Sequence, residues 1–215
     1  MTESMRRRGR PARLSREAVV AAAEQIVQSE GIDALTMRRV ADRLSSSPTA
    51  IYRHVRDKDE MLLALLDDVA GELGRPDLPE DPRQRLVVLW RLLYDTLATR
   101  PWVVGVLVGR DLASRAILWV VEEILQAFLA CGLDREQAAS AYRAVWQFTV
   151  GVLTIRSGSD RARSDPNQPG QARMIMEADS ELTPTIAALA ADWPHPWENY
   201  DYGLTVLLNG VIERS

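Results

Sequence analysis

The chain has 215 residues, 47% of them hydrophobic and 26% charged, with a net charge of −4. That length supports one large domain or two modest ones with a buried core, and no run of 18 apolar residues is present to span a membrane. Cys131 is the only cysteine, which rules out an intramolecular disulfide, fits a reducing cytoplasm and reads as an inert packing residue.

Residues 1–14 read as a flexible basic arm. Six arginines and one glutamate fall within the first 16 residues, and no apolar stretch follows that would make this a secretory signal. Residues 1–60 hold 12 basic and 9 acidic side chains, the rest 14 and 21, so a basic end sits on an acidic body. Such a distribution is expected where one small part of a protein approaches phosphate. Lys58 is the only lysine among the 26 basic residues.

Apolar residues recur at helical spacing almost throughout, and strand-like alternation is absent, so the expected fold class is all-α. The first helix is predicted over residues 15–30, with Ser15 as N-cap and Gly31 as terminator. Thr36 caps a second, in which Met37, Val40, Ala41 and Leu44 line one face. Ser47 and Pro48 are N-cap and first residue of a third, one to two turns long. Asp57 opens a fourth, with Glu60 three residues on in a capping-box pattern.

The proline-rich GRPDLPEDP then leads to helices predicted near residues 83–99, 102–108, 112–131, 134–156, 183–192 and 197–214. A polar Gly/Pro/Ser-rich segment at about 157–179 reads as a mobile loop. The expected architecture is a three-helix head, residues 15–56, joined through the fourth helix to a larger helical body, residues 57–215.

Three short helices with a tight turn before the third make a helix-turn-helix arrangement. In the third helix Ile51 and Val55 anchor one side, leaving Thr49, Tyr52, Arg53 and His54 on or near the other. A helix entering the major groove needs donors and acceptors near its N-terminal end. Ser47, Thr49 and Arg53 supply them. Tyr52, His54 and Lys58 are within reach of phosphates, and Thr36 adds a hydroxyl beside exposed backbone N–H groups. The alternative for Tyr52 and His54 is packing on the hinge to the fourth helix, and for Arg53 simple solvation.

The stretches ALTMRRVADRL and SPTAIYRHVRDKDEML resemble the TetR family of bacterial transcription regulators. Thr36, Arg38, Val40, Ala41, Leu44, Ile51, Tyr52, His54, Val55, Lys58 and Met61 fall in register with the family pattern. Ser45 stands where the family usually has a turn glycine, and Ser46 where it has an apolar residue. The resemblance implies DNA binding through Thr36, Arg38, Ser47, Thr49, Tyr52, Arg53, His54 and Lys58. It also implies phosphate or minor-groove contact by Arg8 and Arg10 of the arm.

The body resembles the family more loosely, through RPWVVGVL and the final YDYGLTVLLNGVIE. By that resemblance two late helices pair with their copies in a homodimer. Ala141, Val145, Phe148, Leu204, Leu207, Leu208 and Val211 are then the expected interface; an intrachain core is the alternative. Trp90, Tyr94, Trp102, Trp119, Tyr142 and Trp146, with polar groups such as Gln147, either line a cavity for a largely apolar effector or fill a core.

The function expected is that of a homodimeric repressor, cytoplasmic and nucleoid-associated when bound to DNA. It would bind a near-palindromic double-stranded operator and be released by a small molecule. A DNA-binding architectural or partner-recruiting protein without an effector is the alternative. No enzyme motif is present, and no cofactor is expected. The only histidines are His54 and His195, so a histidine-held metal is not expected either.

Overall fold

The computed structural model describes residues 14–110, 112–162, 171–192 and 199–213. Every regular element among them is helical. The chain divides into two compact units, residues 1–68 and 69–215, so the boundary falls inside the fourth helix and not ahead of it.

In the first unit, α1 (Arg16–Glu30) is capped by Ser15, whose Oγ accepts from Ala18 N at 3.2 Å. It ends at Gly31, with φ +86°. A 3-10 turn (Ile32–Ala34) leads to α2 (Met37–Arg43), where Thr36 Oγ1 accepts from Arg39 N at 3.1 Å. Then comes α3 (Pro48–Ile51), capped by Ser47, with hydrogen-bonded turns continuing to Val55. Last is α4 (Lys58–Glu72). Its entry departs slightly from the expected capping box. Asp57 Oδ1 accepts from Glu60 N at 2.8 Å, but the Glu60 carboxylate accepts from the backbone of Arg56, one residue earlier, at 2.8 Å. That backbone bond, reinforced by the Arg56 side chain, holds the Glu60 carboxyl below its usual range. Val19, Ala23, Ile26, Leu35, Val40, Ala41, Ile51, Met61 and Leu62 form the core of this unit.

The turn after α2 keeps a glycine-type conformation without glycine. Ser46 N donates to Ala41 O at 2.9 Å and Ser45 N to Asp42 O at 3.2 Å, the paired bonds of a Schellman cap. The cap requires a left-handed residue, and Ser45 supplies it at φ +49°. The same cap recurs after α7, described below, where Gly132 takes the position at φ +99°. A non-glycine residue in this region is strained by about 1 kcal/mol. Ser45→Gly is therefore expected to stabilise the head by about 0.5–1 kcal/mol, read as a higher urea midpoint with unchanged slope.

In the second unit, α5 (Pro82–Ala98) is capped by Asp81 and followed by α6 (Pro101–Arg110). A helix was expected from residue 112. Ser114 instead caps a 3-10 turn (Arg115–Ile117) by accepting from Ala116 N at 2.9 Å, and α7 (Leu118–Ala130) begins after it. Next, α8 (Arg135–Ala162) opens with a reciprocal cap. Gln137 N donates to Asp134 Oδ1, and Asp134 N to Gln137 Oε1, each at 2.8 Å. The short α9 (Gln171–Met176) and α10 (Pro184–Leu189) lead to α11 (Tyr200–Ile212).

The polar segment expected as a loop at 157–179 is thus helical over residues 157–162 and 171–176. Hydroxyls of Thr154 and Ser157 bond back to Val150 and Leu153 carbonyls, and α8 runs on past residue 156. Residues 163–170 lie outside the described residues. Helices α5, α7, α8 and α11 pack around Leu86, Leu89, Trp90, Ile124, Phe128, Val145, Tyr200 and Leu204. No helix among the described residues is long and apolar enough to cross a membrane.

Candidate functional site

Ile51 and Val55 are 0% and 2% exposed, so α3 and its following turn are clamped to the head by one side only. Thr49, Tyr52 and Arg53, spaced i, i+3 and i+4, share the opposite side. All three are exposed, Tyr52 at 54%. Ser47, at the helix entrance, is also exposed; its Oγ accepts from Ala50 N at 3.3 Å and keeps its proton for donation outward. His54 is half-buried. This short helix has little to pack against because most of its surface faces solvent.

The arginines of the head fall into two groups. Arg39 donates twice to Glu30 Oε2, at 3.1 and 2.8 Å, and Arg43 donates to Gln25 Oε1 at 3.0 Å and lies 3.6 Å from Glu30. These pairs clasp α2 to the end of α1. Arg56 is likewise engaged by Glu60. The side chains of Arg16, Arg38 and Arg53 are exposed and have no hydrogen-bond or ion-pair partner among the described residues. Arg16 opens α1, so Arg38 and Arg53 are the two unengaged guanidinium groups of α2 and the α3 segment.

Lys58 carries a bond within the head that the sequence did not show. Its Nζ donates to Ile32 O at 3.0 Å, tying the start of α4 to the 3-10 turn behind α1. A side chain read from sequence as an outward phosphate contact has a structural bond inside the head. Arg8 and Arg10 lie outside the described residues.

In the second unit the aromatic candidates are brought together unevenly. Trp90 is fully buried with its ring 5.6 Å from that of Tyr142, and Tyr94 stacks on Tyr200 at 3.9 Å. Trp102 is buried as well. Trp119 and Trp146 are half-buried, and the Arg75 guanidinium covers the Trp119 ring at 5.0 Å. Gln147 is exposed on the outer side of α8, two positions from the buried Val145 and Thr149 on either side, and does not line the interior. The Tyr142 phenol is pushed up by burial. Burial likewise raises the Cys131 thiol.

Sequence reasoning missed Tyr200. Its hydroxyl donates to Trp90 O at 3.2 Å and is 3.1 Å from Thr149 Oγ1, linking α11 to α5 and α8. The signal was present: Tyr200 precedes Leu204, Leu208 and Ile212 at steps of four on the buried side of α11. Desolvation pushes the Tyr200 phenol up to about 12. An unfolded chain ionises tyrosine near pH 10, so the stabilisation held by this neutral phenol is complete below about pH 10 and is lost as pH rises towards 12. Wild type is expected to lose about 2–3 kcal/mol more stability than Tyr200→Phe over that window, measured by denaturant titration at each pH.

The expected dimer residues need correction. Ala141, Val145, Leu204 and Leu208 are at most 4% exposed within a single chain. Phe148 is half-buried and stacks on Tyr200 at 5.6 Å. A side chain at Gly203 would begin 2.4 Å from the Phe148 ring, so the absence of a Cβ there is what lets α11 approach α8. These residues join α8 to α11 of the same chain. The faces left outward carry other apolar residues: Ile155 on α8, Tyr202 and Val206 on α11, at 53%, 74% and 51% exposed. Leu207 and Val211 are half-buried at the edge of that surface.

Comparison with known proteins bears on both units. The family model of the tetR family of bacterial regulatory proteins matches residues 19–65, the segment holding α2 and α3. That of the tetracyclin repressor-like C-terminal domain matches residues 75–214. The chain belongs to the TetR family of bacterial transcription regulators. An HTH-type transcriptional regulator of Saccharopolyspora erythraea is 31% identical over 208 residues, covering 94% of this chain and 86% of that protein. The HTH-type transcriptional repressor DrrR1 of Streptomyces coeruleorubidus is 28% identical, with 95% and 79% covered. Among solved structures, the TetR family protein ActR of Streptomyces coelicolor in complex with actinorhodin superposes with a TM-score of 0.78 at 22% identity, covering 95% of this chain and 98% of that one. BioQ with its double-stranded DNA operator gives 0.64 at 23%, covering 94% and 99%. In a TetR family regulator, the exposed side of α3 is the helix-turn-helix surface, and the protein is a DNA-binding regulator of transcription.

Proposed function

We propose that this TetR family protein is a homodimeric repressor that reads a near-palindromic operator and releases it when a small molecule enters the second unit. The observation that carries the DNA-reading part is the exposed Thr49–Tyr52–Arg53 side of α3, with Arg53 and Arg38 unpaired beside arginines already engaged by Glu30. Ser47 and Thr49 offer short-range donors and acceptors at the helix entrance. Tyr52 and Arg38 suit phosphate contact, and Arg53 suits the paired acceptors of a guanine edge. Thr36 and His54 stand at the margin of this surface. Lys58 acts chiefly by fixing the entry of α4, while Arg8 and Arg10 add charge from the arm.

One four-residue helix reads too few base pairs to specify a site, and two copies on a two-fold axis read a palindrome with half-sites about one helical turn apart. Support for pairing comes from the outward faces of α8 and α11. Ile155, Tyr202 and Val206 are large apolar residues on helices whose other side already packs into the core, and Leu207 and Val211 extend the surface. Release by a small molecule is supported by the aromatic pair Trp90 and Tyr142 with the buried Trp102 on the adjoining helix α6, and by ActR, which shares the fold and was solved with actinorhodin. Release requires that the ligand favour one arrangement of the two units over another.

Selection from random duplex DNA by the purified protein at fixed salt tests this reading. Enrichment of a near-palindrome is the expected result. Recovery of unrelated sequences, with binding that vanishes as salt rises, would replace it with an architectural role.

A further inference from the structure

The interior of the second unit holds almost no polar side chains. Apart from the bonded hydroxyls of Tyr94 and Tyr200, only Ser114 and Thr149 are buried polar residues among the described ones. Both are satisfied, Ser114 by Ala116 N and Thr149 by Val145 O and the Tyr200 hydroxyl. Two buried donors contrast with them. Trp90 Nε1 and Trp102 Nε1 have no hydrogen-bond acceptor within reach, in residues that are 0% and 9% exposed.

An indole N–H donates and cannot accept, so only an incoming acceptor satisfies it. Buried donors are nearly always paired, because an unmade bond leaves the full desolvation cost in place. The two indoles stand on α5 and α6, which pack on each other and on α8. The Trp90 ring also lies against Tyr142, so the donor there is framed by aromatic surface. No carboxylate is buried among the described residues, so an ammonium carried inside would stand without a counter-charge. The one cation at the aromatic interior is the part-buried Arg156, which donates to the Tyr94 hydroxyl at 3.4 Å.

We infer that the effector is a largely apolar, non-cationic molecule bearing hydrogen-bond acceptors such as carbonyl oxygens, which are bound by the indole N–H groups of Trp90 and Trp102. This assignment rests on the effector reading given above. It adds the chemistry of the ligand: acceptor-bearing, without an ammonium group and flat enough to lie among aromatic rings.

The test uses the full-length protein with 3-benzothienylalanine at position 90, at position 102, or at both. That residue keeps the shape of tryptophan and replaces its N–H by sulfur. The probes are two matched pairs differing only in C=O against CH₂, fluorenone with fluorene and benzophenone with diphenylmethane, titrated calorimetrically. In wild type each ketone is expected to bind about tenfold more tightly than its hydrocarbon. The gap narrows in the single variants and closes in the double one. Without ligand, the substituted proteins are expected to melt a few degrees higher, because an unsatisfied donor has gone.

Equal binding of ketone and hydrocarbon to wild type would overturn the acceptor assignment while leaving a ligand site in place. A ketone preference that survives in the double variant would overturn the role of the two indoles. Binding of neither member of either pair would overturn both this inference and the effector reading.

Discussion

Arg53→Ala is expected to weaken binding to the selected operator by about 1–3 kcal/mol in each half-site, so that the dimer loses roughly thirtyfold or more in affinity. Base preference should relax at one position per half-site while the other positions keep theirs. The prediction singles out Arg53 because the neighbouring guanidinium groups are not equivalent. Arg39 and Arg43 are engaged by Glu30 and Gln25 on the α1 side of the head. Arg53 stands exposed beside Thr49 and Tyr52, its helix held from behind by Ile51 and Val55. Arg38→Ala is the internal comparison. A phosphate contact there would weaken all duplexes alike and lower the salt slope by roughly one unit per contact. If Arg53→Ala behaves the same way, Arg53 is a phosphate contact and another residue carries the base preference.

Val206→Arg is expected to break the dimer. Val206 is half exposed on the face of α11 turned away from its own core, next to Tyr202 one turn earlier. In a symmetric pair each copy presents this face to the other. An arginine there would be desolvated without a partner, which costs about 3–5 kcal/mol, enough to weaken association by a hundredfold or more. Sedimentation at micromolar concentration should then report the 24.0 kDa chain instead of twice that mass, with helical content unchanged. Operator binding should fall with it. The same change at Val145 would unfold the unit, because Val145 is fully buried within one chain. A doubled mass retained by Val206→Arg would move the interface elsewhere.

Much of the helical plan was legible in the sequence because end signals are local. Ser15, Thr36, Ser47 and Asp57 cap the helices that follow, and Gly31 takes positive φ where the chain must turn. The buried side of α3 followed from Ile51 and Val55 alone. What the sequence left open was what each apolar stripe is buried against. Ala141, Val145, Leu204 and Leu208 repeat with helical period, and that period is the same for a stripe covered by its own chain and one covered by a copy. Gln147 illustrates how narrow the margin is: each residue step turns a side chain by about 100°, so the half-buried Trp146 and Phe148 flank a glutamine that faces solvent. Lys58 shows a different limit. Its residue type suits a phosphate, but only the structure reveals that the Ile32 carbonyl holds its amine.

That bond, together with the scarcity of lysine, has a practical outcome. A lysine-specific endoproteinase has one bond to cut in this chain, between Lys58 and Asp59. The bond lies in the first turn of α4, and the side chain that must enter the protease is bonded to the 3-10 turn that follows α1. Cleavage therefore requires that turn to unwind and the Ile32 contact to break. Where opening and closing are fast, its rate reports how often the head visits that state. A duplex that holds the head closed slows the cut and one that does not leaves it unchanged, so two fragments on a gel distinguish an occupied head from an idle one without any label.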